Sequence, residues 1–216
     1  MTRVKICGIT SLEDAQVAID AGAHALGFVL ADSPRRVTPD LAGRIVRALP
    51  PMVTTVGVFV DAPIEWVEET LEATGLHTVQ LHGREEPQYC ASVSRPVIKR
   101  IRMDDHSTPE TLQAQLDRYD VSGFLLDPGA GDGRRFDWRR FAGIGLSGPS
   151  ARGSSARRLI IAGGLDSDNV GEAIRLLRPY AVDVCTGVES APGRKDAIKI
   201  LAFLRAVEQA DAVNAA

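Results

Sequence analysis

Cys7, Gln80, His82, Asp127, Asp183 and Cys185 each stand in or just after a short apolar run, and their types suit proton transfer or ligand contact. Lys5 lies two residues before Cys7 and so on the same side of an extended segment, where a cation favours the thiolate form of a base or nucleophile. The plainer reading of Cys7 is a small buried hydrophobe. An ammonium inside a fold is costly without a partner, and Asp183 is a candidate partner for Lys5. Asp127 follows Gly123-Phe-Leu-Leu126 and precedes Pro128-Gly129. It reads either as a turn-capping carboxylate or as a carboxylic acid kept protonated for general acid work. Gln80 and His82 are polar strand-end residues or ligand contacts. Arg35, in Ser33-Pro-Arg-Arg36, is a solvated arginine or a planar fork for a carboxylate. Gly163-Gly164 and Thr186-Gly187 let backbone N–H groups approach an anion, as in phosphate binding.

These residues need elements that bring them together. Eight β-rich runs recur: Val4–Cys7, Ala25–Leu30, Thr54–Val60, Thr78–Leu81, Val97–Ile101, Gly123–Leu126, Leu159–Ala162 and Ala181–Cys185. Helical periodicity falls between them, over Leu12–Ala21, Leu41–Leu49, Trp66–Thr74 and Val170–Leu177, with a shorter segment near Trp138–Phe141. Thr10-Ser-Leu-Glu13 has the form of a capping box, and Pro63 and Pro109 suit first-turn positions. One strand–helix unit recurs every ~27 residues, close to the length of a βαβ unit. Alternation implies a parallel sheet, and the turn after the first strand, Cys7-Gly-Ile-Thr-Ser11, lacks the dinucleotide fingerprint of an open doubly wound sheet. The expected fold is therefore α/β, a single-domain (β/α)8 TIM barrel over residues 1–209. A Gly/Ser-rich insertion near 143–156 reads as a surface loop, and 210–216 as a frayed tail. In such a barrel the active site lies at the C-terminal ends of the strands, where the reactive residues above all fall.

Composition excludes other classes. The chain has 216 residues, 44% hydrophobic and 25% charged, which excludes a disordered or fibrous protein. A net charge of -3 gives no global basis for binding nucleic acid or an anionic membrane, and no apolar run is long enough to span a bilayer. Cys7, Cys90 and Cys185 have no CxxC spacing, and His24, His77 and His106 offer no ligand pattern, so no metal site or disulfide framework is expected. Cys90 reads as structural, and Arg134 and Arg135 as solvated. Reduced thiols and an N-terminus without a signal-peptide core point to the cytoplasm. A phosphorylated small molecule is the expected partner, and the chain is read as a monomer or homodimer.

Taken together, several segments resemble the phosphoribosylanthranilate isomerase family of tryptophan biosynthesis. They are Lys5-Ile-Cys-Gly-Ile-Thr10, Gly27-Phe-Val-Leu30 with Ser33-Pro-Arg35, Gly57-Val-Phe59, Val79-Gln-Leu-His-Gly83, and Leu125-Leu-Asp127. Phe136-Asp-Trp138, Ala162-Gly-Gly-Leu165, Val182-Asp-Val184, Gly187-Val-Glu189 and Pro192-Gly193 continue the match in order. The resemblance implies a cofactor-free Amadori rearrangement of N-(5-phosphoribosyl)anthranilate to 1-(2-carboxyphenylamino)-1-deoxyribulose 5-phosphate. It implies Asp127 as general acid, Cys7 as general base, Arg35 on the anthranilate carboxylate, and the loops of Gly163, Gly164, Thr186 and Gly187 on the phosphate. Gln80, His82 and Asp183 complete the expected substrate-binding set. Three departures stand out: Cys185-Thr186 replaces a serine pair, Gly129-Ala-Gly-Asp-Gly133 replaces the usual sixth loop, and the 143–156 insertion is long. Another phosphosugar isomerase barrel, of the kind found in histidine biosynthesis, is the nearest enzyme alternative, although a cysteine rather than an aspartate ends the first strand here. A phosphosugar-binding regulatory protein without turnover is the alternative of a different class.

Overall fold

In the computed structural model, which describes residues 1–129, 137–142 and 158–215, eight parallel strands close into a barrel in the order β1 to β8. They are β1 (Arg3–Cys7), β2 (Ala25–Val29), β3 (Thr54–Phe59), β4 (Thr78–Leu81), β5 (Val97–Arg102), β6 (Gly123–Asp127), β7 (Leu159–Ile161) and β8 (Ala181–Val184). Helices α1 (Leu12–Asp20), α2 (Pro39–Ala48), α3 (Ile64–Thr74), α4 (Pro87–Ser92) and α5 (Pro109–Asp117) follow the first five strands. A 3-10 turn at Trp138–Phe141 follows β6, α6 (Val170–Leu177) follows β7, and α7 (Ala197–Ala215) follows β8. Each strand run read from the sequence is present to within about a residue or two, the ordinary scatter of element ends. The loop beyond Gly129, with Arg134 and Arg135, and the 143–156 insertion lie outside the described residues.

Local chemistry starts the helices with two changes, the smaller being that Pro63 is the N-cap of α3 rather than a first-turn residue. Ser11, not Thr10, is the N-cap of α1 and accepts from the Asp14 amide at 3.1 Å. Thr10 instead donates its hydroxyl to the Gly193 carbonyl, tying the β1 loop to the segment after β8. Pro109 occupies the first turn of α5 behind a Thr108 cap. Within the described residues the expected frayed tail is helical: α7 runs to Ala215, with Ala210 buried and the Asp211 carboxylate accepting from the Thr2 amide and hydroxyl. A buried methyl and two hydrogen bonds to the start of β1 supply what the sequence alone did not reveal.

The core divides in two. Between barrel and helices lies one large apolar cluster including Leu26, Phe28, Phe59, Leu71, Phe141 and Phe203. Inside the barrel, Leu125, Ile160, Ala162 and Ala181, with Ile98 against them, form a smaller apolar patch. Towards the mouth, apolar Val29 and Val58 alternate with polar side chains such as Gln80, Arg100, Asp127 and Asp183. Alternation along β5 shows how: Lys99 is buried towards the helices, 2.6 Å from Glu85, while Arg100 and Arg102 line the barrel mouth.

Candidate active site

At the C-terminal ends of the strands opens a cavity of about 870 Å³. Its wall includes Cys7, Arg35, Gln80, His82, Asp127, Gly163, Gly164, Asp183 and Thr186, so nine of the ten residues expected from the sequence meet there. The tenth, Gly187, sits directly behind Thr186.

Strand pairing places Lys5 opposite Asp183 on β8, and their side chains form a buried ion pair at 2.9 Å. Across β2, Cys7 faces Gly27; a Cβ added there would come within 2.7 Å of Cys7 Sγ and 3.0 Å of Lys5 Nζ. Only glycine leaves room for both side chains. Burial works against the Lys5 charge, but Asp183 and then Cys7 outweigh it and leave the ammonium more basic than usual. Burial pushes the Cys7 thiol up, opposed by Lys5. The Cys7 thiolate, once formed, is therefore a strong base beside the Lys5 ammonium. The Cys185 thiol is also pushed up, to about 12, by burial first and by Cys7 second.

Facing this group, Asp127 ends β6. Its Oδ1 accepts from the Gly129 amide at 3.0 Å, and its Oδ2 lies 3.3 Å from His82 Nε2. Gln80 Nε2 is 3.2 Å from His82 Nδ1. A donated amide hydrogen there leaves the ring hydrogen on Nε2, aimed at Asp127. Gln80 Oε1 is buried without a hydrogen-bond partner among the described residues. Arg100, which sequence reasoning missed, completes the surround: its NH2 donates to the Gly129 carbonyl at 2.8 Å, and its Nε lies 4.0 Å from Asp127 Oδ2. Two adjacent basic residues on an apolar strand were the available signal, since strand alternation sends one of any such pair inward.

Arg35 departs from a free fork. Its Nε and NH2 form a bidentate pair with Glu189 at 2.9 and 2.8 Å. Burial opposes the Glu189 charge, but Arg35 and then Lys195 hold its carboxyl below the usual range, and Arg35 becomes more basic in return. Glu189 and Lys195 come from β9 (Glu189–Ala191) and β10 (Arg194–Lys195), a small antiparallel hairpin the strand reading did not include. Its signal was Pro192-Gly193, the central pair of a type II turn.

After β7 and β8 two loops come close together at glycines. Gly163 and Gly164 have φ of 86° and 62°, and a Cβ on Gly187 would overlap the Leu165 carbonyl oxygen. Gly163, Gly164 and Thr186 line the same part of the mouth. Among the described residues no cluster of three or more His, Cys, Asp or Glu is arranged to hold a metal ion, and no helix is long and apolar enough to cross a membrane.

Comparison with known proteins adds an independent finding. The sequence profile of N-(5'phosphoribosyl)anthranilate (PRA) isomerase matches residues 4–206. An N-(5'-phosphoribosyl)anthranilate isomerase of Pelobacter propionicus is 49% identical over 215 residues, covering 97% of this chain and 97% of that protein. The phosphoribosyl anthranilate isomerase structure from Thermus thermophilus superposes with a TM-score of 0.84 at 41% identity, over 96% of this chain and 99% of that one. A phosphoribosyl anthranilate isomerase in complex with reduced 1-(o-carboxyphenylamino)-1-deoxyribulose 5-phosphate superposes with a TM-score of 0.82 at 36% identity, over 97% and 100% of the two chains.

Proposed function

The chain belongs to the N-(5'-phosphoribosyl)anthranilate isomerase family and carries out its aldose–ketose isomerase step in tryptophan biosynthesis, and from this premise we propose that Asp127 and Cys7 divide the proton transfers. Asp127 gives its proton to the furanose ring oxygen as the C1–O bond breaks. The anilino nitrogen lone pair forms the C=N bond of the opened iminium. Cys7, as thiolate, takes the C2 proton; the C–H electrons form the C1–C2 double bond, and the C=N electrons return to nitrogen. The resulting enolamine becomes the ketone when its enol proton leaves oxygen and C1 gains one. Asp127 ends as carboxylate and Cys7 as thiol, so a proton passes back between them before the next turnover.

The remaining residues bind and orient. The Gly163-Gly164 and Thr186-Gly187 loops hold the phosphate through backbone N–H groups. Glu189 fixes the Arg35 fork, whose outer edge takes the anthranilate carboxylate. Gln80 Oε1 accepts a substrate hydroxyl, and His82 keeps its Nε2 hydrogen on Asp127. Asp183 holds Lys5 beside Cys7, where the cation supports the thiolate. A cytoplasmic setting suits a mechanism that needs Cys7 reduced.

The observation that carries this reading is the meeting of Cys7 and Asp127, from opposite sides of the barrel, in one cavity with the paired glycine loops. The test is loss of phosphoribosylanthranilate fluorescence catalysed by the purified protein. A protein that binds a stable product analogue without turnover would be a binding module instead.

A further inference from the structure

We propose that Arg100 is a positioning residue for the proton transfer itself, the cation against which the Asp127 carboxylate develops its charge. This rests on reading Asp127 as the general acid. Two arginine–carboxylate pairs at the mouth have opposite geometries. Arg35 grips Glu189 through two hydrogen bonds, at 2.9 and 2.8 Å, and so keeps that carboxylate ionised throughout. An acid held in that way would have no proton to give. Arg100 instead stops 4.0 Å from Asp127 Oδ2, and its Nε is buried without a hydrogen-bond partner among the described residues.

The open distance has a cause on the backbone. Arg100 NH2 is anchored on the Gly129 carbonyl at 2.8 Å and reaches the Asp127 carbonyl at 3.5 Å. Its strand register, Arg100 opposite Leu125 and Arg102 opposite Asp127, sets it two residues below the acid rather than level with it. The guanidinium is therefore held by groups that stay neutral, and among the described residues its Nε–H is spare. When Asp127 releases its proton, a short movement closes the gap and the spare donor meets the new charge. An interaction stronger in the transition state than in the ground state accelerates chemistry, whereas one equal in both does not. His82 Nε2, 3.3 Å from the same oxygen, supplies a second donor, so the carboxylate forms between two partners.

The test compares Arg100→Met, Arg100→Lys and Asp127→Asn, singly and combined. Arg100→Met should lower kcat by about 10²-fold, the scale of losing one donor to a developing charge, with KM and product-analogue affinity within about 3-fold. Arg100→Lys should recover about 10-fold of that loss by returning the charge. In the Asp127→Asn background, Arg100→Met should cost no more than about 3-fold further, because the group it acts through is gone. Losses that multiply, or a raised KM with kcat kept, would show that Arg100 binds substrate directly and overturn the inference. Normal turnover of Arg100→Met would also overturn it. If instead Asp127→Asn turns over normally, the acid assignment fails before Arg100 is in question. Should Arg100→Met fail to fold, Arg100→Gln, which keeps a polar end near the Nε position but removes the guanidinium and its charge, carries the same expectation.

Discussion

Two residues distinguish this site as a place for proton transfer rather than simple binding. Cys7 is a buried thiol raised by desolvation yet set beside the Lys5 ammonium, and Asp127 is a carboxyl bounded by neutral or movable donors. Replacing Asp127 by Asn or Cys7 by Ala should each lower kcat by at least ~10²-fold, as expected of general acid–base groups, while the affinity of a product analogue changes far less. Steady-state fluorescence kinetics and calorimetric titration separate the two quantities. Cys185→Ser should stay active, since Cys185 is given no step in the reaction. A dead Cys185→Ser beside an active Cys7→Ala would move the base to β8.

Single elements explain why those side chains are aimed as they are. The β9–β10 hairpin, only five residues of strand, carries the carboxylate that locks Arg35 and the Lys195 that neutralises it in turn. Glu189→Gln should weaken that lock without touching the proton transfers. The expected result is a KM raised about 10-fold with kcat within about 3-fold, the pattern of lost uniform binding. A fall in kcat with KM kept would mean that the hairpin serves the chemistry. The loop after β8 is as demanding. Gly187→Ala should raise KM sharply, because the added methyl overlaps the Leu165 carbonyl and separates the two glycine loops; an unchanged KM would remove the phosphate from this point.

For the molecule as a whole, buried thiols set the alkaline limit of stability. Cys185 and Cys90 are pushed up to about 12 and about 11, chiefly by burial, and Cys7 is raised as well. The folded state then keeps protons that the unfolded chain releases above the usual thiol range near 8.5, so stability falls as pH rises from there. The limiting slope is about 1.4 kcal/mol per pH unit for each thiol, reached where the unfolded thiol has ionised and the folded one has not. Lys5 acts later: its raised value adds stability fully present below the ordinary lysine range and lost above it. Melting temperature should therefore hold near neutrality and drop between about pH 9 and 11, and Cys90→Ala with Cys185→Ser should flatten part of that drop. A profile identical in the double variant would assign the alkaline loss to other groups.

Periodicity was enough to place eight strands, because alternation of short apolar runs with amphipathic segments is a local property of the chain. It was enough to put Cys7, Asp127 and the glycine pairs at strand ends, since a strand end is also read locally. The pairing of Lys5 with Asp183 followed from closing the barrel, which makes the first and last strands neighbours. Other features came only from tertiary structure. Whether Lys99 or Arg100 turns inward depends on strand register, and Arg35 was committed to Glu189 by a hairpin whose strands are too short to leave a pattern. The end of α7 stays helical because Asp211 meets Thr2 across 209 positions of sequence. Each of these is a contact between distant segments, which no local pattern of residue types encodes.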